Sequence, residues 1–282
     1  MIRLAIPSKG SLQKESLDFL KCMGIKLPNA THTQTMYASN FPIEVICLPE
    51  VDILSVVQSG MADIGMVGKQ FQEEKNADVI IHRDLSIAQH NFFVSGTINS
   101  KYKNLESLNG KTVTTPFPNY LSKELKTRNI RAKIQALSES ILVLPQTEIA
   151  EFFFDATPVG LHLGKNGLQE LELVATFDTI LVSNRELIRP KIAILEELLF
   201  RMDATIEAFD KQKLTMRVPT ENLEEILAML PSPQPPIVLK IDHELSYVQT
   251  VVDNTRFWDI VTKLKELKAE EIALMPITHL IH

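Results

Sequence analysis

Between positions 155 and 168 the chain carries an acidic residue, a glycine turn and an Asn-Gly step: Asp155-Ala156-Thr157-Pro158-Val159-Gly160-Leu161-His162-Leu163, then Asn166-Gly167-Leu168. An acidic residue at a helix end, a glycine loop and a new helical turn form a layout that holds a ribose by its hydroxyls and a phosphate by backbone N–H groups. Alone the signal is weak, and three other segments add to it. Pro7-Ser8-Lys9-Gly10 follows an apolar run, Gly60-Met61-Ala62-Asp63-Ile64-Gly65-Met66-Val67-Gly68 ends at glycine, and Thr114-Thr115-Pro116-Phe117-Pro118-Asn119 opens a helix.

Each of these residues also has a plainer reading. Lys9 either neutralises a phosphate or is a solvated loop residue. Asp155 either binds ribose hydroxyls or caps the next turn. Thr114 and Thr115 stand before a helix N-terminus, where an anion pocket is one reading and ordinary strand threonine the other. Asp63 reads as a structural carboxylate between lobes. His90 and His162 lack a His or Cys partner at metal spacing, so local polar roles are expected. Cys22 and Cys47, without C-x-x-C spacing, read as buried small hydrophobes rather than a disulfide or zinc site. Phe152, Phe153 and Phe154 read as core, and Trp258 as part of the apolar face of its helix.

The elements that must position these groups alternate between strand and helix. Arg3 to Pro7 is a strand, and the following helix has Ser11 placed to cap it. Ile43 to Leu48 and Ala62 to Gly68 are further buried strands, with a helix through Ile53 to Val57 between them. From His90 onward a second set begins, with strands at Phe92 to Val94, Lys111 to Thr115 and Arg131 to Leu137, and a helix over Pro118 to Arg128 with proline in its first turn. Glu148 to Phe154 is expected as a helix, Asp155 to Gly160 as a loop, and Leu171 to Asn184 as two strands. A long amphipathic helix runs from Pro190 to about Asp210. The remainder parses as βαββαβ, the ferredoxin-like split unit. The expected fold class is therefore α/β: a two-lobed body, with one lobe from 1–89 and 170–210 and another from 90–169, and a C-terminal module over 211–282.

Composition narrows the function classes. The 282 residues include 35 acidic and 29 basic ones, a formal charge of -6, which leaves no cationic excess for nucleic acid. No run approaches the roughly 18 apolar residues of a membrane span, and the start is too short for a secretory apolar region, so a cytoplasmic location is expected.

The quoted motifs, in this order and with Leu198-Leu199-Phe200-Arg201-Met202, Phe257-Trp258 and Leu274-Met275-Pro276-Ile277, resemble the long form of the ATP phosphoribosyltransferase family over essentially the whole chain. The resemblance implies a periplasmic-binding-protein-like two-lobed body with the site between the lobes, and an ACT-like regulatory or assembly domain at the C-terminus. It implies attack of N1 of ATP on phosphoribosyl pyrophosphate, the first step of histidine biosynthesis, with magnesium carried by the substrate pyrophosphate and no protein metal ligands. It also implies a homo-oligomer, dimer or hexamer. Carried over residue by residue, the substrate-binding positions are Lys9, Ser11, Thr114, Thr115, Asp155, Thr157, Gly160 and His162, while no catalytic side chain is assigned.

The chain departs from the family pattern at charged and hydroxyl positions. Where the family phosphate loop reads D-x-V-x-T-G-T-T-L, three hydroxyl positions are Val159, Leu161 and His162. Family K-G-R is Lys9-Gly10-Ser11, the arginine before D-I-P is Pro49, the basic residue after the family cysteine is His90, and the glutamate of G-S-V-E is Leu142. The family's histidine-sensing segment L-P-G-x-x-S-P-T-V is Leu230 to Val238, with Pro235 and Ile237 in place of serine and threonine. These departures make a second expectation, a non-catalytic two-lobed protein that binds a nucleotide or sugar phosphate.

Overall fold

The computed structural model describes residues 1–28, 34–97, 100–137, 151–156, 167–232 and 235–281. The chain separates into two compact units, Met1–Leu195 and Glu196–His282.

The first unit holds two sheets. β1 (Ile2–Pro7), β3 (Ile43–Leu48) and β4 (Ile64–Gly68) are parallel, and the sheet order is β2-β3-β1-β4-β11-β5, with β2 (Thr35–Tyr37), β5 (Ile80–Asp84) and β11 (Thr179–Ser183). β4 and β11 are buried along their whole length, as continuous apolar strands covered on both faces should be. α1 (Ser11–Cys22) follows β1, and α2 (Glu50–Gln58) and α3 (Lys69–Lys75) follow β3 and β4. Cys47 is buried as expected, whereas Cys22, at the end of α1, is exposed. Gly65 is required by packing, because a Cβ there would stand 2.7 Å from Ile53 Cγ2 on α2.

The second sheet has the order β10-β6-β9-β7-β8, from β6 (His90–Thr97), β7 (Thr112–Thr115), β8 (Lys133–Ala136), β9 (Phe152–Ala156) and β10 (Leu168–Phe177), with α4 (Pro118–Thr127) after β7. Here the structure corrects two expectations. Phe152, Phe153 and Phe154 end no helix; they form the central strand β9, between β6 and β7. Three consecutive aromatic residues buried on both faces suit a strand, and a run this short carries no period that separates strand from helix. The lobe boundary drawn at 169/170 moves to 178, since β10 pairs with β6 from Leu168↔Thr97 to Phe177↔His90 and the chain enters the first sheet from Thr179 onward.

α5 (Arg189–Glu207) spans the boundary of the two units. Beyond it the second unit is βαββαβ: β12 (Lys211–Pro219), α6 (Leu223–Met229), β13 (Ile237–Lys240), β14 (Leu245–Asp253), α7 (Asn254–Glu266) and β15 (Glu270–Pro276). Its antiparallel order β13-β14-β12-β15 and its own core, with Leu214, Met216, Val248, Phe257 and Leu264, give the ferredoxin-like arrangement. Trp258 is not on the apolar face of α7. It is 70% exposed, because Phe257 and Leu264 take the buried positions and residue 258 lies one step, about 100°, around the helix.

Candidate binding site at the carboxyl edges of two sheets

In an α/β sheet, ligands bind beyond the carboxyl ends of the parallel strands. β1, β3 and β4 end together, and the segments that follow them are Ser8-Lys9-Gly10, Pro49-Glu50 and the Gly68-Lys69 step into α3. In the second sheet β7, β8 and β9 are parallel, with Thr114 of β7 beside Phe153 of β9 and Thr115 beside Ala136 of β8, and Asp155 lies near the end of β9. The topology thus gathers Lys9 and Ser11 on one edge and Thr114, Thr115 and Asp155 on another. Thr157, Gly160 and His162 lie outside the described residues.

Lys9 and Ser11 are exposed. Ser11 does not cap α1; the cap position belongs to Gly10, whose φ of 87° lies in the region that favours glycine, and no side chain bonds the first turn. The first N–H groups of α1 therefore lack intrahelical partners, and with Lys9 they form a set suited to a phosphate.

Thr114 and Thr115 are buried. Thr115 Oγ1 accepts the N–H of Phe117 at 2.9 Å, while Thr114 Oγ1 has no partner among the described residues. The helix they precede is already supplied with an anion, since the carboxylate of Glu74 accepts the N–H groups of Asn119 and Tyr120.

Asp155 lies in strand β9 rather than in a loop, and its Oδ1 accepts the N–H of Ala156 at 2.7 Å. Burial pushes its carboxyl up to about 6, with the Ala156 hydrogen bond pulling in the other direction. His90, at the start of β6, is shifted below the ordinary histidine range by burial, with Glu15 opposing, and its Nε2 has no partner among the described residues.

Asp63 is structural, but within one lobe rather than between lobes. At 6% exposure it accepts the N–H of Arg3 at 2.8 Å and both its oxygens pair with Lys191 Nζ, at 2.7 and 2.9 Å, tying β1 to the start of α5. Sequence reasoning missed Glu50. Its carboxyl accepts the N–H of Gly68 at 2.9 Å across the carboxyl edge, and burial raises it above the usual carboxylate range. The available signal was an acidic residue directly after Pro49 at a helix start.

A cleft of about 790 Å³ separates α2 and α3 from the ends of β7 and β8, lined by Ser55, Gln58, Glu74, Pro116, Asn119 and Leu137 among others. None of the expected substrate positions lines it; those that are described lie at the strand ends of the two sheets instead. Among the described residues no three His, Cys, Asp or Glu groups converge as a metal cage, and no helix is long and apolar enough to cross a membrane.

Fold and site define a two-lobed α/β protein of the periplasmic-binding-protein-like kind, with a ferredoxin-like module at its C-terminal end. A profile of ATP phosphoribosyltransferase matches residues 49–204, and one of that family's C-terminal domain matches residues 208–279. ATP phosphoribosyltransferases of Bacteroides fragilis and Bacteroides thetaiotaomicron are 35% and 36% identical over 282 residues, covering all of this chain and all of theirs. The chain belongs to the ATP phosphoribosyltransferase family. Among solved structures, a chain of the ATP phosphoribosyl transferase (HisG:HisZ) complex from Thermotoga maritima superposes with a TM-score of 0.57 at 22% identity, over 72% of this chain and 96% of that one. The periplasmic VFT2 domain of Bordetella pertussis BvgS does so at 0.50 and 13%, over 71% and 86%. At these identities the two likenesses concern the fold alone.

Proposed function

We propose that the chain is a cytoplasmic, homo-oligomeric phosphoribosyltransferase that joins phosphoribosyl pyrophosphate to ATP in the first step of histidine biosynthesis. The observation that carries this reading is end-to-end similarity to relatives of that name at equal length. In the reaction N1 of adenine attacks C1 of the sugar; the N1–C1 bond forms as the C1–O bond breaks, and pyrophosphate leaves with the bonding pair. Lys9 and the open first turn of α1 hold phosphate, and Asp155 accepts ribose hydroxyls. No covalent nucleophile is needed, so catalysis is positional and electrostatic. Magnesium, bound through pyrophosphate oxygens and water, would offset charge on the leaving group.

Incubation of the purified chain with ATP, phosphoribosyl pyrophosphate and magnesium tests the proposal, with product read by ultraviolet absorbance and mass. Sustained product formation is expected. A second reading, binding without turnover, is favoured by Val159, Leu161, His162, Pro49 and Leu142 standing where the family carries polar or charged groups. Charge-assisted contacts are worth about 1.5 to 3 kcal/mol each, so losing several weakens a polyphosphate by orders of magnitude unless others replace them. Saturable ATP binding with no product would establish that reading.

The same reasoning extends to feedback. In the segment that resembles the family's histidine sensor, Pro235 and Ile237 supply no hydroxyl, and Ile237 is 55% exposed on the edge strand β13. The nearby Ser232 Oγ bonds Thr250 Oγ1 at 2.5 Å. Each missing contact to a buried polar ligand costs about 1 to 3 kcal/mol. Calorimetric titration with L-histidine is therefore expected to be silent; saturable binding below millimolar concentration would contradict it.

A further inference from the structure

We propose that Glu74 is a positioning residue that sets the second lobe against the first by capping α4 from across the cleft. α3 leaves the first sheet directly after Gly68, and α4 leaves the second directly after the Thr115-Pro116-Phe117 turn. The first turn of a helix has N–H groups without intrahelical partners, and α4 has no side-chain cap of its own. Pro118 has no N–H. Asn119 N–H donates to Glu74 Oε1 at 3.1 Å and Tyr120 N–H to Glu74 Oε2 at 2.8 Å, while Asn119 Nδ2 donates to the Glu74 carbonyl at 3.2 Å. Leu121 N–H reaches Phe117 O, and Phe117 N–H reaches Thr115 Oγ1. Every N–H from Phe117 through Leu121 is thus satisfied, and the two that the second lobe cannot satisfy itself are taken by a carboxylate of the first.

Two neighbouring contacts run across the same seam. Lys123 Nζ pairs with Glu73 at 3.4 Å, and the rings of Phe71 and Phe117 meet edge-on with centroids 5.3 Å apart. Phe71 packs against the hydrophobic clusters of both lobes. The Glu73 and Lys123 side chains are too exposed to weigh much, whereas a carboxylate on two helix-terminal amides has the geometry and dipole in its favour. Because the threonine turn hangs on α4, the bond from Glu74 fixes Thr114 and Thr115 relative to the end of β4. It also leaves no open α4 terminus for a substrate phosphate.

The tests need no substrate, so they stand apart from the phosphoribosyl transfer on which the link to catalysis rests. Hydrogen exchange of the full chain, resolved to single amides by electron-transfer fragmentation, is expected to show Asn119 and Tyr120 protected although they lie in a first turn. Glu74→Ala is expected to speed both by at least about tenfold with Leu125 unchanged. Glu74→Gln, which keeps one acceptor oxygen, should fall between. In a Cys22→Ser background, nitroxides at positions 14 and 126, diluted with unlabelled chain, should give one narrow distance with Glu74 and a broadened one with alanine, partly restored by glutamine. Unprotected amides in the wild-type chain, or rates unmoved by Glu74→Ala, would overturn the cap. Faster exchange with an unchanged distance would overturn the positioning role.

Discussion

Phe92→Ala is expected to destabilise the first unit by about 3 to 5 kcal/mol, read as a shift of the urea midpoint in circular dichroism. Phe92 is 1% exposed in β6, which pairs on one side with β9 and on the other with β10. Its ring meets Phe117 at 5.0 Å, Phe154 at 5.5 Å and Phe177 at 5.1 Å, so truncation strips three aromatic neighbours of one partner. Transfer free energy is lost with the ring, and the surrounding strands, held in register on both sides, cannot collapse into the space. Phe92→Leu keeps most of the volume and should cost less than half as much. A loss for alanine no larger than that for leucine would mean that the cluster relaxes, and that β6 is held by its strand pairing alone. The lone tryptophan, Trp258, belongs to the second unit and does not report this transition.

How far the sequence could be read depended on whether a residue's partner is near it in the chain. β1, β3 and β4 were legible as apolar runs closed by glycine or proline, α4 by its proline start, and the βαββαβ order by alternating periods with short turns. The helix expected at Glu148 to Phe154 failed because Phe152 to Phe154 are buried on both faces, and only pairing with Gly96, Ser95 and Val94, far back in the chain, makes them a strand. Trp258 misled because an aromatic residue beside Phe257 reads as core until the helix is rotated against its sheet. Motif named Lys9, Thr114, Thr115 and Asp155 as candidates, and the sheet topology places each at or next to a carboxyl edge. Motif did not single out Glu50 and Glu74, since one bonds an amide 18 positions away and the other amides 45 and 46 positions away. A carboxylate on a helix looks solvated in sequence whatever it holds in space.

Asp155→Asn is expected to separate binding from stability. In the free protein burial holds the Asp155 carboxyl near 6, against about 4 in an unfolded chain, so the fold favours its neutral form. The folded state then binds more protons than the unfolded state between about pH 4 and 6, and stability falls as pH rises through that window and is level above it. Asparagine cannot ionise and keeps an oxygen for the Ala156 N–H. The variant should therefore be more stable than the parent at pH 8, by about 1 to 3 kcal/mol, and the difference should vanish toward pH 4. Binding should move the other way. A carboxylate accepts hydrogen bonds from two ribose hydroxyls, whereas an amide offers one acceptor and brings a donor to the other, so affinity for phosphoribosyl pyrophosphate should fall roughly 100-fold, the worth of about one charged hydrogen bond. In the parent the same affinity should decline more steeply below pH 6 than in Asp155→Asn, where only protonation of the ligand's own phosphates, with a second pKa of about 6, remains. Calorimetric titrations at pH 5.5 and 8 and urea midpoints at the same values measure all of this together. Equal midpoints with equal affinities would remove Asp155 from the site, while a stabilised variant that still binds would leave it a buried carboxylate with no part in holding the sugar. A residue that weakens the fold in its charged form and is needed in that form by the ligand is the signature of a site retained for binding rather than for folding.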